Sequence, residues 1–163
     1  CFEINIGDDI MKKIGYVFMI TMICFLFIGC GKNQSNIQEP LSDVMKKLYE
    51  NISEDEMPLL ETVEVTKENQ EYYLGNVSFN YQEALASEPV MSSIAHSVVL
   101  IRLKDTKNIE SIKKEIKEKV DPNKWICVGV EDKNVIVVSK GNLILLVMDD
   151  EYATQIRDNF LNL

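Results

Sequence analysis

His96 is the only histidine of the chain, standing in "MSSIAHSVV" with Ser92, Ser93 and Ser97 close by. An imidazole among hydroxyls could support nucleophilic catalysis, the ring accepting a proton as the oxygen attacks. The surroundings argue against that. No G-x-S-x-G turn is present, and His96 leads into an apolar run where a hydrogen-bonded, buried ring is the commoner state. A ligand pocket shaped by Ser92, Ser93 and His96 asks less of the geometry and is the stronger of the two functional readings. Cys127 is a second candidate, as nucleophile or redox thiol, but its apolar neighbours in "WICVGV" predict a buried, inert side chain. One histidine and one available cysteine cannot assemble the usual zinc ligand set, and no other cofactor is expected. Glu54, Asp55 and Glu56 lack the alternation of a calcium loop and read as a solvated acidic turn. Trp125, Tyr72 and Tyr73 could face a sugar or a peptide, although packing at a sheet edge is the more frequent role. "YYLGN" has none of the partner residues of a phosphate loop.

The elements that would carry these residues can be read from periodicity. Pro40 opens a helix with Ser42 as N-cap, and Val44, Met45, Leu48, Tyr49 and Ile52 fall at helical spacing. A short strand is expected in Leu59 to Thr66. Asn80 with Glu83 makes a capping-box start for a helix through Ser87, and Pro89 opens a second turn with Met91, Ile94 and Ala95 inward. "SVVLIRLK" is the clearest strand. "NIESIKKEIKEKVDP" is the most secure helix, with Ile109, Ile112, Ile116 and Val120 in one stripe and Glu110–Lys114 and Glu115–Lys119 four apart. Strands "WICVGV", "VIVVS" and "LILLVM" follow, the last two joined by a tight Gly141-Asn142 turn. Asp149 and Asp150 cap a final helix carrying Tyr152, Ile156 and Phe160 on one face. Short connections force neighbouring strands antiparallel, and strands this apolar need cover on both faces or a central position. The expected fold class is α+β, a mainly antiparallel sheet packed against helices as a two-layer sandwich, preceded by a signal-peptide helix.

The N-terminal part has a different character. Lys12 and Lys13 precede an uncharged run from Ile14 to Ile28, the charged and apolar regions of a secretory signal. From Ile14 to Cys30 is 17 residues, short of the roughly 20 that span a bilayer. The run ends in Leu26-Phe27-Ile28-Gly29-Cys30, which resembles the lipobox of bacterial lipoproteins, with Leu26 one place earlier than usual. That resemblance implies a diacylglycerol thioether on Cys30 and cleavage before it; an uncleaved membrane anchor is the alternative. Residues 1–10 put Glu3, Asp8 and Asp9 where a signal wants positive charge, so Met11 is expected to be the start and the preceding residues upstream sequence read in frame. The expected organisation is thus an extension at 1–10, a signal at 11–29, lipidated Cys30 with a flexible tether to residue 39, and one domain over 40–163.

Charge limits the partners. The chain carries a net −9, and the part from Gly31 onward keeps 15 basic against 23 acidic residues. So acidic a surface repels phosphate backbones, so nucleic acid is not an expected partner. Cys1 and Cys24 lie before Cys30, which leaves Cys127 alone and no internal disulfide. The words "EYYLGNVSFNYQEALASEPVMSSIAHSVVLIRLK", "DPNKWICVGVEDKNVIV" and "GNLILLVMD" cover most of Glu71 to Asp149. Over them the chain resembles small uncharacterised lipoproteins of low-GC Gram-positive, clostridial-type bacteria that carry a domain of unknown function. The resemblance implies an envelope lipoprotein with an α+β domain and supplies no catalytic residue. The expectation is a lipid-anchored extracytoplasmic binding or interaction module, touching the membrane through Cys30 and an envelope protein as partner. A small envelope hydrolase or thiol-redox protein using Ser92/His96 or Cys127 is the alternative.

Overall fold

A computed structural model describes residues 36–53 and 55–163. The signal segment, Cys30, most of the tether and Glu54 lie outside the described residues. The chain enters at Pro40, whose carbonyl accepts from Asp43 and Val44 and so starts helix α1 (Leu41–Leu48); Ser42, expected as the cap, is the second residue of the helix. Strand β1 (Leu60–Glu64), the short helix α2 (Gln70–Leu74), β2 (Glu83–Pro89) and β3 (Ser97–Arg102) follow. Helix α3 (Ile109–Lys119) comes next, then a 3-10 turn at Asp132–Asn134, the hairpin β4 (Val135–Lys140) and β5 (Leu143–Met148), and α4 (Ala153–Leu161).

All five strands form one antiparallel sheet in the order β1-β2-β3-β5-β4. The α+β class read from the sequence is what the chain adopts. Its two central strands, "SVVLIR" and "LILLVM", are buried at every position, which requires cover on both faces. Val99, Ile101, Ile144 and Leu146 point to one side, against Leu74 of α2 and Ile112 and Ile116 of α3. Val98, Leu100, Leu145 and Val147 point to the other, against Val44 and Leu48 of α1 and Ile156 and Phe160 of α4. Helices therefore sit on each face, one layer more than the two expected. Each fully buried Leu, Ile or Phe here contributes about 1.5–3 kcal/mol.

Three segments differ from the sequence reading. Glu83 to Ser87 is strand, not helix, because it lies between β1 and β3 and pairs with both. Glu83 gives its carboxylate to Arg102 Nε at 2.6 Å instead of turning back on a helix start. Tertiary pairing overrides a local cap signal. In place of the helical turn expected after Pro89 there is a single turn, closed by Ile94 N on the Met91 carbonyl at 3.2 Å, with Met91 61 % exposed. "WICVGV" is a loop: Trp125 and Val130 anchor its ends in the core, while Ile126, Cys127 and Val128 are exposed. Cys127 has φ +61°, which breaks any extended run. On α3 the Glu115–Lys119 pair forms at 3.0 Å, whereas Glu110 reaches Lys113 in place of Lys114. Before α4, Asp149 accepts the backbone N–H groups of Glu151 and Tyr152; Asp150 instead holds Glu131 N and Asn134 Nδ2 at the 3-10 turn. The tether is fastened to the domain from Ile37 on: Ile37 N donates to Asn142 Oδ1 at 2.9 Å, and Arg102 donates to the carbonyls of Ile37 and Glu39.

Candidate functional site

The apolar alternation of β2 and β3 ends in polar residues at the same end of the sheet. Ser87 and His96 fall on the α1/α4 face, and Glu88 and Ser97 on the α2/α3 face. Two buried polar clusters result, back to back across the sheet.

On the first face His96 is only 1 % exposed, and both ring nitrogens are engaged. Nδ1 lies 2.7 Å from Asp149 Oδ2, and Nε2 lies 2.9 Å from the hydroxyl of Tyr49, which is 3.0 Å from Ser87 Oγ. Ser87, Tyr49, His96 and Asp149 thus form one continuous hydrogen-bonded run. Every member has a partner, as a buried network requires. Burial pushes the Asp149 carboxyl upward, but the hydrogen bond from His96, the N–H of Tyr152, the charge of His96 and the N–H of Glu151 outweigh it, holding the group below its usual range. Burial pushes the Tyr49 hydroxyl strongly up; the bond to Ser87 works the other way, and the negative charges of Asp149 and Glu88 add to the rise.

Tyr49 yields a test. An acid whose folded pKa is raised contributes stability that is present below its unfolded value, about 10, and is lost as pH rises above it. Tyr49→Phe is expected to cost about 1–3 kcal/mol near neutrality, since Ser87 and His96 each lose a buried partner. It should also flatten the loss of stability above about pH 10. Urea unfolding at neutral and alkaline pH measures both, and an unchanged alkaline slope would separate Tyr49 from it.

Three clefts open around this cluster. One of about 460 Å³ has His96 and Asp149 on its wall beside Met57, Ile94 and Tyr152. A second, about 740 Å³, runs from Tyr49 along Ile52, Met57, Leu59 and Leu60. A third, about 340 Å³, lies between Met45, Lys46 and Tyr49 of the α1 region and Leu60, Thr62 and Ser87 of the sheet. Ser92 and Ser93 stand exposed on the turn between β2 and β3, outside these clefts, and their side chains make no hydrogen bond to His96. The backbone carbonyl of Ser92 accepts from Ile126 N at 2.8 Å, pinning the 123–130 loop. The structure thus brings His96 together with Tyr49, Ser87 and Asp149, and not with the two serines.

On the second face Lys124 Nζ donates to Glu88 Oε1 at 2.8 Å and lies 3.2 Å from Ser97 Oγ, whose hydroxyl also donates to Glu88. The ammonium sits over Tyr72 at 4.4 Å, Tyr73 at 5.1 Å and Trp125 at 5.2 Å. The aromatic residues that could have faced a ligand enclose a lysine of the same chain. Burial pulls the Lys124 ammonium below its ordinary value, with Glu88 acting in opposition. Glu88 Oε2 and Trp125 Nε1 are buried without a protein partner. Cys127, expected inside, is exposed because its loop leaves the sheet. Among the described residues no three metal-ligating side chains converge, and no helix is long and apolar enough to cross a membrane.

Tyr49, Asp149, Glu88 and Lys124 were not singled out as site residues from the sequence. The contacts Tyr49–Ser87, Tyr49–His96, His96–Asp149 and Lys124–Glu88 join residues 36 to 53 positions apart, and no spacing rule links residues across a sheet at that range. No family model, curated protein or solved structure matches the chain.

Proposed function

We propose that this chain is a non-catalytic binding module, held to the extracytoplasmic face of a cell membrane by acyl chains on Cys30, with an envelope protein as its partner. The observation that carries the non-catalytic part is the commitment of His96. Nδ1 is held by Asp149, and Nε2 faces the Tyr49 hydroxyl in a ring only 1 % exposed, so the proton within its reach is that of a buried phenol of the same chain and not that of a bound molecule. What remains is a rigid polar floor beneath open clefts, which suits recognition. The anchor rests on the Lys12-Lys13 pair, the apolar run and the Gly29-Cys30 junction. At about 0.8 kcal/mol per buried methylene one acyl chain holds only marginally, and a diacyl modification gives the second chain that stable anchoring needs.

The domain's own geometry agrees with presentation away from a membrane. The chain enters at Ile37, against Arg102 and Asn142, whereas His96 stands before the other end of β3. Those ends are roughly 20 Å apart at the rise of a strand. A tether on one end leaves the clefts at the other. The hydrolase alternative needs Ser92 or Ser93 against His96, which face solvent while the ring is buried. Thiol chemistry has the exposure of Cys127 in its favour and no imidazole beside it.

Cells fed an alkyne fatty acid should yield a labelled wild-type chain and an unlabelled Cys30→Ala variant. A wild-type chain that never takes the label sinks the anchor. A fluorophosphonate serine probe should leave the chain unmodified, and Cys127→Ser should complement a deletion fully; labelling of Ser92 or Ser93, or failed complementation, would favour the enzyme reading.

A further inference from the structure

Strand β1 ends the sheet, and its outer edge is open among the described residues. The hydrogen bonds Val65 N to the carbonyl of Ala84 and Val90 N to that of Leu59 fix which residues face inward: 59, 61, 63 and 65 direct their backbone groups to β2. Antiparallel pairing alternates, so Leu60, Thr62 and Glu64 direct theirs outward. The Glu64 carbonyl is taken by Asn69 Nδ2 at 3.0 Å. The amide and carbonyl groups of Leu60 and Thr62, and the Glu64 N–H, have no partner among the described residues.

An open edge alone proves little, since natural sheets tolerate short, charged edges. Here a groove runs beside it. The side chains of Leu60 and Thr62 lie on the α1 face, opposite Ser87 and its neighbours. The 740 Å³ and 340 Å³ clefts share Lys46, Tyr49 and Leu60, so they adjoin between α1 and β1. Apolar side chains of Met45, Ile52, Met57 and Leu60 line this channel. A strand added outside β1 would run about 4.8 Å from it, with alternate side chains about 7 Å apart on the groove side. Edge and channel thus supply the two elements of strand addition: main-chain bonds for affinity and pockets for alternate side chains.

We propose that the β1 edge and the channel beside α1 bind an extended peptide segment of a protein partner, with apolar side chains alternating with basic ones. This deepens the binding-module reading and rests on it. Charge selects the occupant. Glu61 and Glu64 lie exposed on β1 and Glu50 on the channel wall, where the lining cation Lys46 is paired with Asp43 at 3.0 Å, and the chain as a whole carries net −9. A second copy would bring the same negative charge to the same edge; a basic segment is attracted.

The test uses the full-length chain in neutral detergent micelles and a fluorescent, acetylated Lys-Val-Lys-Val-Lys-Val-Lys peptide. The peptide should bind saturably and shift the amide resonances of Leu60, Thr62 and Glu64. Its Glu-Val counterpart should bind at least tenfold more weakly. Proline is tolerated on an edge strand where the N–H faces outward. Thr62→Pro should therefore fold and lose at least tenfold in affinity, while Thr62→Ala, which keeps the N–H, should stay within threefold. Equal binding to Thr62→Pro, or β1 amides that do not move, overturns the proposal. So does protection of those amides without peptide: dependence on protein concentration would identify a second copy, and independence the chain's own N-terminal segment. Failure with fatty-acid labelling of Cys30 intact removes the groove alone. Loss of that label with peptide binding intact removes the tether and leaves the groove.

Discussion

Lys124→Met is expected to destabilise the folded chain by about 3–5 kcal/mol, the cost of leaving one member of a buried ion pair without its partner. Lys124 and Glu88 have side chains 4 % and 6 % exposed, and among the described residues the ammonium is the only cation on a carboxylate whose second oxygen lacks a protein partner. Remove it and Glu88 keeps a single donor, Ser97. The desolvation that Lys124 offset remains. The double variant Lys124→Met/Glu88→Gln should recover most of the loss, because a neutral amide can still accept from Ser97 and carries no charge to desolvate. Urea midpoints of the wild type, both single variants and the double variant give the coupling directly. If the two single losses simply add, the pair is not coupled and the second polar cluster is not one unit.

The pair also shows how far the sequence reaches. Strands β3 and β5, helix α3 and the Gly141-Asn142 turn announce themselves, since their apolar spacing and turn residues are local and unopposed. The segment Asn80–Ser87 carries a cap signal as good as any in the chain, yet from Glu83 on it is strand. Its place between β1 and β3 satisfies two ladders of backbone bonds, and no window of ten residues contains that fact. "WICVGV" fails in the opposite direction. Its composition is that of a strand, but Trp125 and Val130 take the core positions at its two ends and the middle is carried out into solvent. Lys124, immediately before it, is drawn inward by Glu88 and three aromatic rings, all distant in sequence.

The candidate site divides in the same way. His96 is visible because it is the single histidine, and burial of its ring at the mouth of an apolar strand follows from that strand. What it touches does not follow. Ser92 and Ser93 are its neighbours in sequence and share a turn that faces water; Tyr49 and Asp149 come from the end of α1 and the end of β5. A strand residue meets whatever helix covers its face, and the covering helices are fixed only when the whole sheet order is known. The open edge of β1 belongs to the same level, because an edge is a property of strand order.

Asp149→Ala is expected to cost about 3 kcal/mol at neutral pH. One carboxylate accepts from His96 Nδ1 and from the backbone N–H groups of Glu151 and Tyr152 that lead into α4. Losing a helix-start acceptor costs roughly 1 kcal/mol, and stranding a buried ring N–H costs about 1–3 kcal/mol more. The pH dependence distinguishes a lost carboxylate from a lost side-chain volume. Asp149 is held below the ordinary carboxylate range, so its contribution is complete above the unfolded value near pH 4 and disappears as pH falls through the folded one. Asp149→Asn, nearly equal in volume, should therefore be far less stable than wild type at pH 7. The gap should narrow steadily below about pH 4, since the wild-type carboxylate is then being protonated. A gap that stays constant down to pH 2 would mean that the ionised group does nothing the protonated carboxyl cannot do. His96 would then be held by packing alone, and the closed hydrogen-bond chain, on which the non-catalytic reading stands, would lose its anchor.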